Sequence, residues 1–361
     1  MHARGRIVKS FFGFLFGLFC ALMIVLFAGE NPLHILEILV RSSFGSKYDF
    51  GLTLFYMTSL IFTGLSVSTA FKSGLFNIGA EGQLNFSAIS MVIFATTYPG
   101  ITFPGSLLMI VLVGILAGAI WGAIPGLLKA YRGSHEVIVT MMLNFVSAGI
   151  SSYFISHHLQ NPDSQNPESA IVTDAFRTNS FDFLNKLLPE SPVNIFFVLS
   201  ILTAVAMYFF FSKSALGFEM IAVGENPSAA ERASISSKKF IVLSLVISGV
   251  LASGAGMNEV VGYSGQYKIG FSPEFGFMGI AVALMSNNHP LGIIANAFIM
   301  SVFHKGASDL DIETETITKD FSKIIQAMVL FGVGLQYYLN KYGVNIAWFK
   351  KIKKSNQSGH V

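Results

Sequence analysis

Asn77, Glu81, Gln83 and Asn85 crowd four hydrogen-bonding side chains into one short stretch, with Gly74, Gly79 and Gly82 interleaved. Each glycine opposes a regular helix by roughly 1 kcal/mol relative to alanine. Apolar runs flank the stretch on both sides. Polar groups held inside a membrane are costly, so they usually face a cavity and serve a function. The other reading is a solvated loop with a helix cap, and for Glu81 both readings stand. Asn144 sits inside a further apolar run and joins the candidates for a polar solute route. Asn287 and Asn288 lie in a second polar interruption, Ser286-Asn287-Asn288-His289-Pro290. They either reach a solute or form a turn that Pro290 ends.

Other chemistry is missing. The chain has no Walker A motif and no Gly-Lys dipeptide, so it cannot hold ATP by a P-loop. It lacks a nucleophile elbow and a His-Glu-x-x-His zinc motif. Cys20 is the single cysteine, which rules out an intrachain disulfide and a cysteine zinc site. His157 and His158 are adjacent and would point apart on a helix, so they read as loop surface. No catalytic residue, metal site or bound cofactor is expected.

The elements that carry these residues are apolar. Of 361 residues, 52% are hydrophobic and only 12% charged, with a net charge of +3. About a quarter of residues are charged in soluble domains. The composition excludes a disordered chain, a nucleic-acid-binding protein and an ordinary soluble enzyme. It predicts an all-α polytopic membrane protein. Ten candidate spans follow: Phe11–Ala28, Leu52–Phe71, Leu84–Tyr98, Leu107–Leu128, Val137–Ile155, Val193–Phe211, Phe240–Ala255, Phe275–Met285, Leu291–Phe303 and Ile324–Leu339. A bilayer core takes about 20 apolar residues. Leu84–Tyr98, Phe275–Met285 and Leu291–Phe303 fall short and read as broken or partly re-entrant helices. A basic start, an apolar run and Cys20 also fit a signal peptide. The run continues past Cys20 with no small-residue cleavage site, so a retained first helix is simpler.

With the N-terminus inside, inner segments hold Arg4, Arg6, Lys9, Lys72, Lys129, Arg132, Lys213, Arg232, Lys238, Lys239, Lys341, Lys350, Lys351, Lys353 and Lys354. Most of the 23 basic residues are therefore inner, and most of the 20 acidic ones outer. This bias predicts cytoplasmic N- and C-termini. Residues 156–192 then form an extracytoplasmic loop, residues 212–239 a cytoplasmic one, and residues 340–361 a basic cytoplasmic tail. Gly114, Gly118, Gly122 and Gly126 recur every four residues and make one small face for close helix packing. In the inner loop, Asn226-Pro227 is a strong helix start. The short helix that follows lacks the apolar face of an interfacial helix. Its small residues suit docking into a groove on another protein.

Three stretches carry a resemblance: Gly74-Leu-Phe-Asn-Ile-Gly-Ala-Glu-Gly-Gln83, Gly217-Phe-Glu-Met-Ile-Ala-Val-Gly-Glu-Asn-Pro-Ser-Ala-Ala230, and Gly276-Phe-Met-Gly-Ile-Ala-Val-Ala-Leu-Met285 with Asn288-His-Pro-Leu-Gly292. They resemble the membrane permease subunits of bacterial ABC importers in the branched-chain amino acid, ribose and nucleoside group. The first and third are most similar to the nucleoside and riboflavin branch. The resemblance implies that residues 1–361 form a single permease domain of ten helices with an inverted-repeat core, set in the inner membrane. It implies a cytoplasmic ATPase that uses ATP, a second permease subunit and an extracytoplasmic binding protein. It also implies that Gly217, Phe218, Val223, Gly224, Asn226, Pro227, Ala229 and Ala230 touch the ATPase. Asn85 and Phe86 depart from the small or aliphatic residues expected there, which leaves nucleoside, riboflavin and simple sugar open as solute. An ion-coupled secondary transporter is the competing class. It would want a charged residue deep in a span, and only Glu81 and Glu136 come close, at span edges.

Overall fold

The computed structural model describes residues 2–178, 184, 187–314 and 319–342. Thirteen α-helices run through them, with no strand among the described residues and only two isolated bridges, Gln160–Ser169 and Glu168–Lys268. In chain order they are α1 (His2–Phe27), α2 (Pro32–Phe44), α3 (Lys47–Lys72), α4 (Ala80–Thr97), α5 (Gly105–Arg132), α6 (Glu136–Phe154), α7 (Ile195–Lys213), α8 (Ala215–Glu225), α9 (Pro227–Arg232), α10 (Ser237–Glu259), α11 (Phe275–Met285), α12 (Pro290–Glu313) and α13 (Lys319–Tyr342). Five helical stretches are long and apolar enough to cross a membrane: Lys47–Lys72, Gly105–Arg132, Glu136–Leu159, Ile195–Lys213 and Ser237–Ser264.

Local chemistry starts these helices. Asn31 before Pro32, and Asn226 before Pro227, cap α2 and α9 with a side-chain oxygen. Ser46, Asn194 and Ser236 do the same for α3, α7 and α10. Each such cap takes up a helix N–H that has no partner in the first turn.

Helix α10 is the centre. The glycine face of α5 lies against it as the spacing predicts. A Cβ on Gly118 would strike the Gly249 carbonyl, and one on Gly122 the Leu245 carbonyl. On its other sides, Gly254 takes the Phe62 ring of α3, and Gly256 takes the Leu84 carbonyl of α4. Backbones packed this closely gain dispersion contacts where a lipid environment offers no hydrophobic drive.

Several expectations are corrected. Leu84–Tyr98 is not broken: a polar first turn, Ala80–Gln83, lengthens it into the continuous α4. Leu291–Phe303 is part of α12, which runs on to Glu313. It can do so because buried Lys305 is paired with Asp309 one turn on and with Asp49 of α3 at 3.5 Å. Phe275–Met285 does stay short. Helix α2 was missed, although Leu39 packs on Gly306 of α12. Residues 212–239 are mostly helix rather than loop, as α8 and α9. His157 and His158 are exposed but do not point apart. A π-turn, Ile155–Leu159, brings both rings onto Tyr153, at 4.7 and 5.6 Å between centroids. The tail expected at residues 340–361 lies outside the described residues from 343 onward.

Candidate functional site: a junction of two helix starts

Beyond Lys72 the chain does not run on outside the bundle. It turns at Gly74 (φ 73°) and comes back alongside α3. Asn77 Nδ2 donates to Ser248 Oγ at 2.8 Å, and Ser248 Oγ donates to the Ser66 carbonyl at 2.7 Å. Ser66 is six residues before the end of α3, so Asn77 has returned roughly 9 Å along it at 1.5 Å per residue. Only then does α4 begin. On the other side, Gly279 of α11 packs on Thr63 of α3, and Gly276, one turn earlier, meets Glu81. Thr63 lies nine residues from Lys72, roughly 14 Å along the helix. The contacts carry Glu81 to about the middle of α3. Two helices, α4 and α11, therefore start at depth and start against each other.

The polar residues form two knots here. Asn77 and Gln83, both buried, share a 3.1 Å bond from Asn77 Nδ2 to Gln83 Oε1, while Asn77 Oδ1 accepts from the Gly79 N–H at 2.8 Å. Glu81 Oε2 accepts from the Gly276 N–H at 2.8 Å, and its Oε1 accepts from Asn85 Nδ2 at 3.1 Å. Asn85 Oδ1 in turn accepts from the Tyr267 hydroxyl at 3.0 Å. Asn144 of α6 braces both knots. Its Oδ1 accepts from the Gly82 N–H at 2.8 Å, and its Nδ2 donates to the Ile78 carbonyl at 3.1 Å. One turn on, the Phe86 ring stacks on Trp121 at 4.1 Å.

Asn287 and Asn288 do not join the junction. They lie near the Lys72 end of α3, both with positive φ, in a turn where Asn288 O accepts from Ser68 Oγ at 3.0 Å. His289 and Pro290 then open α12. Burial, and then the Lys72 charge, push the His289 imidazole below its usual range.

Sequence reasoning missed Ser248, Tyr267 and a further buried knot. There Asn194 Nδ2 donates to Asn258 Oδ1 at 3.0 Å, and Asn258 Nδ2 donates to Ser59 Oγ at 3.0 Å. Asn258 had a signal, being an amide near the end of an apolar run. Tyr267 had none, because only the fold brings it over Asn85.

The expected coupling residues divide by face. Phe218, Asn226, Pro227 and Ala229 are exposed. Val223 and Ala230 are buried in a cluster with Met220 and Phe240, and Gly217 lies on the Phe210 carbonyl. The small face expected to dock on a partner is thus partly turned inward. Gly224 fits against the Lys72 carbonyl and the Gly74 N, at the turn that leads to Asn77. Among the described residues no three His, Cys, Asp or Glu side chains gather as a metal site would need.

A helical membrane chain with short helices meeting at depth, and amides in place of acid–base pairs, has the build of a permease. Residues 50–334 match the family described as branched-chain amino acid transport system, permease component, and the chain belongs to that family. Subunits of this kind perform no chemistry themselves; ATP hydrolysis belongs to a partner. Three relatives show the range. A nucleoside ABC transporter permease protein, NupB, from Lactococcus lactis is 35% identical, covering 92% of this chain and 91% of its own. A guanosine ABC transporter permease protein, NupP, from Bacillus subtilis is 34% identical over 87% and 89%. A glucose ABC transporter permease protein, TsgB13, from Haloferax volcanii is 30% identical over 84% and 81%. No solved structure matches the chain at a significant level.

Proposed function

We propose that this chain is the membrane subunit of an ATP-driven importer for nucleosides. The observation that carries the reading is its 34–35% identity to a nucleoside and a guanosine permease along most of all three chains. The junction supports a neutral solute. Asn77, Gln83, Asn85 and Asn144 offer amides of the kind that exchange bonds with ribose hydroxyls and base edges. The positive ends of α4 and α11 already face a carboxylate of the chain itself, Glu81, so neither awaits an anionic solute. The glucose permease among the relatives favours a second reading, a simple sugar, which would use the same hydroxyl recognition.

In this reading the route passes Glu81 and the amides of the junction. It leaves by Asn287 and Asn288 at the Lys72 end of α3. Ten helices lie in the inner membrane, α1, α3 to α7 and α10 to α13, with α11 too short to cross it alone. The basic ends place both termini in the cytoplasm. The paired deep starts of α4 and α11 are what an inverted repeat would produce. The cytoplasmic ATPase seats on Phe218 and Asn226 to Ala229. A second permease subunit and an extracytoplasmic binding protein complete the assembly.

The test is co-purification with a co-expressed ABC ATPase subunit, followed by uptake into proteoliposomes. Labelled guanosine, riboflavin, ribose and glucose are compared in parallel arms. Guanosine uptake that depends on ATP supports the reading. ATP-dependent uptake of glucose or ribose alone would transfer it to sugars, and uptake driven by an ion gradient without ATP would end it.

A further inference from the structure

Helix α11 begins without the means to finish its own first turn. Its N-cap position is Glu274, held in the left-handed region at φ 67° and ψ 35°. A capping side chain works from an extended backbone, where its oxygen can turn back to the second or third helical N–H. From the left-handed region it does not reach them, and Glu274 makes no capping bond. Ser272 Oγ takes the Phe275 N–H at 3.2 Å. That leaves the Gly276 N–H, buried at depth, and its partner comes from another helix: Glu81 Oε2 at 2.8 Å.

The fit is close on both sides. Gly276 has no side chain, and a Cβ there would strike the backbone N and Cα of Glu81. The two helices thus touch main chain to main chain beside the bond. Glu81 is in the first turn of α4, so its carboxylate faces the positive ends of two helices at once. Its other oxygen is held by Asn85, and Asn85 is held by the Tyr267 hydroxyl. Both oxygens accept from N–H donors, the pattern of an acceptor-only carboxylate. A ligand for a passing solute would have to surrender one of these bonds at each turnover. Away from water, the Gly276 N–H would then be left without a partner, which is costly.

We propose that Glu81 is a positioning residue. It caps α11 in trans and holds the two helix starts together. The inference rests on the transport reading but not on the identity of the solute.

The test uses the assembled permease, ATPase and binding protein, with E81A, E81Q and E81D compared with the unaltered chain. Hydrogen exchange followed by mass spectrometry over residues 270–280 reads the cap without any solute. E81A should exchange at least tenfold faster there. E81Q, whose amide oxygen can still accept from Gly276, should stay within about twofold, given that a tenfold change corresponds to 1.4 kcal/mol. In uptake, E81A should lose most of its maximal rate with KM within twofold, and E81Q should recover much of that rate. Unchanged exchange in E81A would overturn the proposal. So would a tenfold rise in KM at unchanged maximal rate, which would mark Glu81 as a solute ligand. Failure of the unaltered complex to import guanosine would count against the nucleoside reading alone, because the exchange result stands apart from it.

Discussion

The starts of α4 and α11 face each other, yet they are completed by different means. The start of α4 has its own supports: Asn77 holds the Gly79 N–H, and Asn144 of α6 holds the Gly82 N–H. The start of α11 uses Ser272 and the Glu274 carbonyl of its own segment and takes the Gly276 bond from Glu81 of α4. The two starts thus draw on different neighbours: α4 on its preceding turn and α6, α11 on its preceding turn and α4. The α4 half reads as scaffold and the α11 half as the part whose shape depends on contact.

The largest way to break this asymmetry is at Gly276. Gly276→Leu puts a side chain into the Glu81 backbone, and overpacking of this kind costs about 1–3 kcal/mol or more. The purified permease should melt several degrees lower and lose its uptake. Next is the α4 half. Asn144→Ala removes both the acceptor for Gly82 and the donor to Ile78, a loss of about 1–3 kcal/mol. Asn144→Asp keeps the acceptor and should recover about half the melting temperature lost. A smaller effect is expected at the outer rim of the α11 half. Tyr267→Phe removes one hydroxyl bond to Asn85, about 0.5–1.5 kcal/mol, and should change uptake by a few fold at most. If Tyr267→Phe proves worse than Asn144→Ala, the division into scaffold and borrowed halves is wrong.

The smallest effect concerns pH at His289, which lies outside the junction. Its imidazole is held below the usual range by burial and by Lys72. The unfolded chain therefore takes up the proton first as pH falls. Stability from this group is intact above the ordinary imidazole value near 6.5 and declines as pH falls from there through the lowered folded value. Melting at pH 5.5 should be slightly lower than at pH 7.5. His289→Asn keeps a capping side chain and should flatten the difference.

Much of the fold was legible because apolar runs and caps are local. Asn226-Pro227 announced α9, and the four-residue glycine spacing announced a close-packing face on α5, whose partner proves to be α10. Depth was not legible. Nothing between Lys72 and Ala80 tells that the chain doubles back along α3, since that depends on Ser66 and Ser248, far apart in sequence. The face of Ala230 was hidden for a similar reason. A small residue suits a docking surface and a tight core equally, and Met220 and Phe240 claim it for the core. A partner-docking test by a bulky Ala230 substitution would disturb this cluster first. Exposed Ala229 is the cleaner position.

Gly224 and Gly74 have a bearing on the flow of information through the subunit. They meet backbone to backbone, with no flexible side chain between them to absorb a displacement. Such a contact behaves as a rigid joint rather than a spring. In the proposed assembly, a displacement of α8 would be passed to the turn before Asn77 with no side chain between them to repack. Thermodynamic reciprocity then sets the return signal: if the partner's state changes solute affinity by some factor, the solute changes the partner's affinity by the same factor. Two residues without side chains would make the occupied site audible to the motor.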